Sequence, residues 1–299
     1  MTAIDIVEVG PRDGLQNEKA VISAPKKAAL IARLAGAGLG HIEVGSFVNP
    51  ERVPQMAATA EVLSALGPML PATQGPVPLR AMALVPNARR LAAFLEAREG
   101  DAPYLSEVAV FVSATEAFSQ ANLNCSVAES LSRVEAIFAA MPPGLAVRGY
   151  ISCVTDCPYE GRVAPAAVAR LASELKSLGC DTLALADTIG KGTPARVADV
   201  LSAVLAHWPA GRLAGHFHDT SRTALANVDV ALEAGLRAFD SSVAGLGGCP
   251  YAPGATGNLA TEALVAHLEA RGFTTGVNTD ALEETAAFAR HIIGGAQGA

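Results

Sequence analysis

Short apolar runs rich in β-branched residues alternate along the chain with longer Ala/Leu-rich stretches, in which apolar positions recur at three- and four-residue spacing. The first pattern predicts strands covered on both faces, and the second predicts amphipathic helices. Eight strands are expected, at 4–9, 41–45, 80–85, 107–112, 146–152, 182–186, 213–217 and 237–243. Helix starts are marked between them. Ser126 with Glu129 forms a capping-box pattern ahead of a helix over 130–140. Thr193 and Pro194 read as N-cap and first helical position, and Thr279, with Asp280 and Glu283, opens a last helix toward Ile293.

Eight strands, each followed by a helix, predict a parallel sheet closed into one (β/α)8 TIM barrel over residues 1–293, with 294–299 as a flexible tail. A doubly wound open sheet is the alternative use of the same alternation. The Pro/Gly stretch 67–78 reads as a surface connection before the third strand.

Composition narrows the class. Of 299 residues, 51% are hydrophobic and 17% charged, which predicts a large core and excludes disorder. The formal net charge of −7 argues against nucleic-acid binding. It also means that a polyanionic ligand would need local cations and helix N-termini. No apolar run reaches membrane-spanning length without charges or prolines. The first strand begins almost at once, so neither a signal nor a transit peptide is expected. Five scattered cysteines, an odd number, suit reduced thiols in a cytoplasm. Cys153 and Cys157 lack a second Cys/His pair at zinc-site spacing.

In a barrel, chemistry gathers at the C-terminal ends of the strands. The first strand runs into Gly10-Pro11-Arg12-Asp13-Gly14, Glu43 lies late in the second, and Asp187 follows the sixth. His216, His218 and Asp219 close the seventh, and Ser241 and Ser242 lie late in the eighth. His216 and His218, two apart on a strand, point to one face. Their Cα atoms would be about 6–7 Å apart, close enough to share a cation. Two histidines on a solvated face would share that spacing. Asp13 and Asn258 favour the metal, because both fall at the same mouth of a closed barrel. Imidazole, carboxylate and amide oxygen without thiolate suit Mg2+ or Mn2+. Arg12 would enter the same mouth, where it can hold an oxyanion; a surface arginine paired with a carboxylate is the plainer reading. Glu43 and Asp187 can orient these groups, move protons, or pair with Arg12.

The segment 243–258 carries glycines at 245, 247, 248, 254 and 257 around Cys249. Such a loop predicts a lid, with Cys249 placed to give or take a proton at the substrate. A phosphate-binding glycine loop is the rival, but the spacing is neither Walker nor Rossmann.

Together these residues resemble the hydroxymethylglutaryl-CoA lyase family, within the metal-dependent lyases and condensing enzymes that open with an Arg-Asp-Gly turn. The resemblance covers nearly the whole chain. It runs from Val7 to Glu18, through Ser152-Cys153 with Cys157-Pro158-Tyr159-Glu160-Gly161, then Asp187-Thr188-Ile189-Gly190, His216-Phe217-His218-Asp219-Thr220 and the loop from Gly245 to Asn258. It implies a homo-oligomeric (dimer or tetramer) enzyme of leucine catabolism and ketone body formation. That enzyme would cleave 3-hydroxy-3-methylglutaryl-CoA to acetyl-CoA and acetoacetate. It implies metal ligands at Asp13, His216, His218 and Asn258, an enolate-stabilising Arg12, supporting acids at Glu43 and Asp187, and a lid thiol at Cys249. Gln16 and Lys19 would contact substrate, Lys19 at the CoA phosphates. Asp13 and His216 are both candidates for the first proton.

The chain also departs from the family. Many relatives carry an aromatic residue and a glycine after Asp219-Thr220, where this chain has Ser221-Arg222; that change is expected at the pocket rim. The C-terminal cysteine of the animal enzymes is missing, so an intersubunit disulfide is not expected. A lyase for a longer 3-hydroxy-3-alkylglutaryl-CoA is the nearest alternative. A condensing synthase typically has Leu at Pro11 and Asn at Asp219, and lacks Gly248-Cys249-Pro250. A non-catalytic binding barrel leaves the meeting of ligands, Arg and thiol at one mouth unexplained.

Overall fold

The computed structural model describes residues 2–19, 21–70, 79–247 and 257–294. The eight predicted strands all form. They are β1 (Asp5–Glu8), β2 (His41–Ser46), β3 (Arg80–Leu84), β4 (Leu105–Ser113), β5 (Ala146–Ser152), β8 (Thr182–Asp187), β9 (Leu213–Phe217) and β10 (Ala238–Ser241). All pair in parallel, and β10 returns to β1, so the sheet is a closed barrel rather than an open doubly wound one. Two further strands, β6 (Asp156–Cys157) and β7 (Gly161–Arg162), make a small antiparallel hairpin after β5. A strand of two residues is too short to show a period, so pattern reading misses it.

The strand period of two divides the core into two layers. Val7, Val9, Met82, Leu84, Ala109 and Ala184 fill the barrel interior. Their neighbours Ile6, Ile42, Ala81, Ala83, Val108 and Leu183 face outward and pack under the helices. The capping box at Ser126 and Glu129 is present, and it starts its helix at Val127. Thr193 caps the helix that opens with Pro194 by accepting from Arg196 N. The last helix, Thr279–Gly294, is instead capped by Asn278, whose Oδ1 accepts from Ala281 N at 3.0 Å. Among the described residues, no helix is long and apolar enough to cross a membrane. Residues 71–78 of the Pro/Gly connection and 295–299 of the tail lie outside the described residues.

Candidate active site

After β1 the chain enters a five-residue π-helical turn, Gly10–Gly14. Pro11 near its start has no N–H to satisfy. Arg12 N and Gly14 N both donate to the Val9 carbonyl, at 3.1 and 3.2 Å. Only glycine fits at position 14, because a Cβ there would sit 2.6 Å from Ser242 Oγ. The turn is thus pressed against the end of β10. Glu8, fully buried, makes the same join from below. It accepts from Gly10 N (2.8 Å), Val243 N (2.9 Å) and Thr261 Oγ1 (2.6 Å). Burial nevertheless pushes its carboxyl up to about 7.

The turn sets Asp13 beside the end of β9. Asp13, His216 and His218 each offer a donor atom, all within 4.8 Å of one another. His216 lies in β9, and His218 is one residue past its end; their rings are 5.4 Å apart. Burial opposes charge on Asp13, but Arg12 and the two imidazoles outweigh it and hold the carboxyl down at about 2. Burial, then the neighbouring His216, push His218 down to about 4. Its imidazole is therefore neutral near pH 7, the form that binds metals. His218 Nδ1 is buried with no hydrogen-bond partner among the described residues. An orphaned imidazole nitrogen beside a carboxylate and a second imidazole fits a divalent cation, and the all-N/O donors disfavour a thiophilic one.

Asn258 also reaches this cluster, bridging to His218 through the backbone. Its Nδ2 donates to Asp13 Oδ2 at 2.8 Å and to the Leu246 carbonyl at 3.1 Å. The sequence reading expected the amide oxygen as a fourth ligand. In the structure Asn258 lies beside Asp13, and its amide donates to the Asp13 carboxylate.

Arg12 is nearly enclosed between two carboxylates, 2.8 Å from Glu43 Oε2 and 3.0 Å from Asp13 Oδ1. Neither Glu43 oxygen finds an aligned hydrogen bond among the described residues, so the contact with Arg12 is an ion pair. Burial pushes Glu43 up to about 7 against the pull of Arg12. Asp187 belongs elsewhere. It accepts from Thr155 Oγ1 (2.7 Å) and Gly192 N (2.8 Å), bracing the loop after β8. Neither Glu43 nor Asp187 lines the cavity at the cluster.

That cavity measures about 250 Å3 and is lined by Arg12, Asp13, Gln16, Phe111, Asn122, Tyr150, Ser152, Thr188, His216 and His218, among others. A larger one, about 780 Å3, opens at the opposite end of the barrel around Asp5, His41, Arg80 and Glu107. Size alone would choose the wrong end; the orphaned imidazole and the converging donors are at the smaller one. Gln16 lines the cavity as expected, whereas Lys19 is exposed and away from its lining. Ser221 and Arg222, expected at the rim, are exposed and not among the lining residues. Cys249 and residues 248–256 of the glycine loop lie outside the described residues.

Sequence reasoning missed Asp240. It stands opposite His216 in the β9–β10 register. Its Oδ2 is 3.1 Å from His216 Nδ1, and Oδ1 takes the buried guanidinium of Arg148. Burial opposes charge on His216, but Asp240 outweighs it and raises the imidazole above its ordinary range. The available signal was an acid in mid-strand, between Phe239 and Ser241.

The HMGL-like family model matches residues 3–289. The hydroxymethylglutaryl-CoA lyase of Pseudomonas mevalonii is 49% identical over 95% of this chain and 90% of its own. The HMG-CoA lyase structure from Brucella melitensis superposes with a TM-score of 0.91 at 47% identity, covering 98% of this chain and all of that one. An HMG-CoA lyase from Acinetobacter baumannii, solved in complex with coenzyme A and 3-methylmalate, gives a TM-score of 0.88 at 32% identity, covering 98% and 92%. With the match running through β1, the Arg12-Asp13 turn and the β9 histidines, the chain belongs to the HMGL-like family.

Proposed function

We propose that the protein cleaves 3-hydroxy-3-methylglutaryl-CoA to acetyl-CoA and acetoacetate. The observation that carries this reading is the pairing of a cation-ready Asp13–His216–His218 cluster with an enclosed arginine at one cavity. The family membership and the relative solved with coenzyme A support the thioester.

The reaction breaks the C2–C3 bond. The C3 hydroxyl loses its proton, the C–O bond becomes a ketone, and the electron pair of the breaking C2–C3 bond passes to the thioester as an enolate, which an acid then protonates at C2. A divalent cation, Mg2+ or Mn2+, at Asp13, His216 and His218 would lower the hydroxyl pKa as a Lewis acid. Arg12 meets the enolate charge at the thioester oxygen, where its guanidinium is worth most in a dry site. Glu43 positions Arg12 from behind. Asp13 and His216 both face the cavity and are the candidates to receive the hydroxyl proton. Asp187 holds the loop that carries Thr188. Cys249 is assigned, from the sequence resemblance, as the acid that protonates C2. The four described cysteines are free thiols, which accords with a reducing cytoplasm.

The test is a panel of 3-hydroxy-3-alkylglutaryl-CoA thioesters incubated with Mg2+ or Mn2+, following free acetyl-CoA. Chelation should stop the reaction and the metal should restore it. Full turnover in metal-free protein, or no release of acetyl-CoA from any member of the panel, would overturn the reading.

A further inference from the structure

The barrel interior beneath the metal cluster is not filled by apolar side chains alone. Arg148 lies on β5, two residues before Tyr150, and is only 2% exposed. The strands that separate β5 from β10 are β8 and β9, and they contribute the small Ala184 and Ala214 to that interior. Small neighbours leave room for a long side chain. Arg148 reaches past them to Asp240 on β10, with Nη2 2.5 Å from Oδ1. Its Nε donates to Tyr150 Oη at 3.1 Å, and the guanidinium carbon is 5.3 Å from the centre of the same ring.

An aliphatic side chain of similar volume would often fill such a space with equal or greater stability, because it desolvates no charge. What a guanidinium adds is direction, since its planar fork fixes two partners at once. Both partners of Arg148 flank His216. Asp240 stands behind His216 Nδ1 at 3.1 Å. Tyr150 meets the imidazole edge-on, with ring centroids 6.2 Å apart and planes at 87°. Tyr150 and His216 also line the cavity at the cluster together. Arg148 instead lines the cavity at the opposite end of the barrel, so it can act on the site only through these two neighbours.

We infer that Arg148 is a positioning residue for the metal-dependent cleavage: one buried guanidinium holds Asp240 and Tyr150 together and through them sets the His216 ring from two sides. The effect on turnover rests on the lyase reading above; the effect on metal affinity rests on the cluster alone. Lysine cannot take this place. Its ammonium can pair with Asp240 as a point charge, but it has no fork to hold the phenol at the same time.

The experiment compares wild type, Arg148→Lys, Tyr150→Phe and the double variant. Mn2+ affinity is read by electron paramagnetic resonance without substrate, kcat and KM by acetyl-CoA release, and stability by a melting curve. Arg148→Lys should melt near wild type, because Asp240 keeps a cation. It should nevertheless bind Mn2+ about tenfold or more weakly and lose kcat about 10- to 100-fold with KM little changed. Tyr150→Phe should weaken Mn2+ binding in the same direction. The double variant should be no worse than Arg148→Lys, because both substitutions cut one linkage. A side chain that only filled space would move the melting temperature alone. Wild-type Mn2+ affinity and kcat in Arg148→Lys would therefore overturn the proposal, as would losses that multiply in the double variant. If Arg148→Lys does not fold, Tyr150→Phe decides, and wild-type Mn2+ affinity in that variant overturns the proposal. Wild type that binds Mn2+ but releases no acetyl-CoA would sink the lyase reading, while the Mn2+ affinities would still test Arg148.

Discussion

Asp240 Oδ2 lies 3.1 Å from His216 Nδ1, so a fully buried carboxylate fixes which imidazole nitrogen is left to face the cavity. The same residue neutralises Arg148 inside the barrel. Asp240→Asn should keep the fold and weaken Mn2+ binding about 10- to 100-fold, the usual cost of losing a carboxylate behind a ligating histidine. Asp240→Ala should also cost stability, about 3–5 kcal/mol, by leaving Arg148 buried and unpaired. Metal titration and denaturant melts separate the two effects. Wild-type Mn2+ affinity in Asp240→Asn would show that His216 is oriented by something else.

Arg12→Gln should lower kcat by roughly 10²–10⁴-fold with metal affinity nearly intact, because the enolate charge exists mainly in the transition state. The structure adds a second consequence. Without Arg12, Glu43 loses the cation it pairs with and must bury a charge or take up a proton. Arg12→Gln/Glu43→Gln should therefore regain stability lost in the single variant while kcat stays low. A rise in KM with kcat unchanged would make Arg12 a ground-state binding residue.

The barrel was readable because each of its eight strands is a short apolar run and each helix has a period. Arg12, Asp13, His216 and His218 were readable because a closed barrel gathers its strand ends. What pattern cannot supply is register and direction. Arg148 and Asp240 are 92 positions apart, and only the closed sheet brings them together. Asp187 occupies the same strand-end position as a ligand would, but its carboxylate turns to Thr155 and Gly192. Asn258 was legible as a neighbour of the cluster, but which atom of its amide faces Asp13 depends on its neighbours' donors and acceptors, which a sequence pattern does not show.

Arg222 has φ of +58°, a left-handed conformation that costs a side-chain-bearing residue about 1–2 kcal/mol. Arg222→Gly should relieve that strain, less the entropy that glycine adds to the unfolded chain, and raise stability by about 1 kcal/mol. The side chain is outside the cavity lining, so turnover should hold. Thermal and denaturant unfolding measure it; a destabilised variant would mean that Arg222 makes a compensating interaction.

Glu8 gives the protein a pH-dependent component of stability. Its carboxyl is pushed from 4.5 up to about 7 in the folded chain. Below pH 4.5 it is protonated in both states. Between 4.5 and about 7 the folded protein keeps the proton that the unfolded chain has released, so this component falls as pH rises. Above about 7 both states are ionised and the loss is complete, on the order of 3 kcal/mol. Glu8→Gln has no such proton. Urea midpoints across this range should show the wild type losing stability relative to Glu8→Gln as pH rises, and parallel curves would refute the burial argument.

The thiols divide sharply. Cys125, Cys153, Cys157 and Cys180 are all buried. Burial drives the Cys153 thiol far above its ordinary range and Cys180 up to about 12, so neither offers thiolate to an alkylating reagent. The cysteine that reacts in the native protein should therefore be Cys249. Iodoacetamide should inactivate in step with labelling of the Cys249 peptide, and a product analogue with Mg2+ should slow both. Cys249→Ser should bind metal normally and lose most of its turnover, because a hydroxyl is a far weaker acid than a thiol near neutral pH. Near wild-type turnover in Cys249→Ser, or inactivation that tracks labelling of a different cysteine, would remove Cys249 from the chemistry.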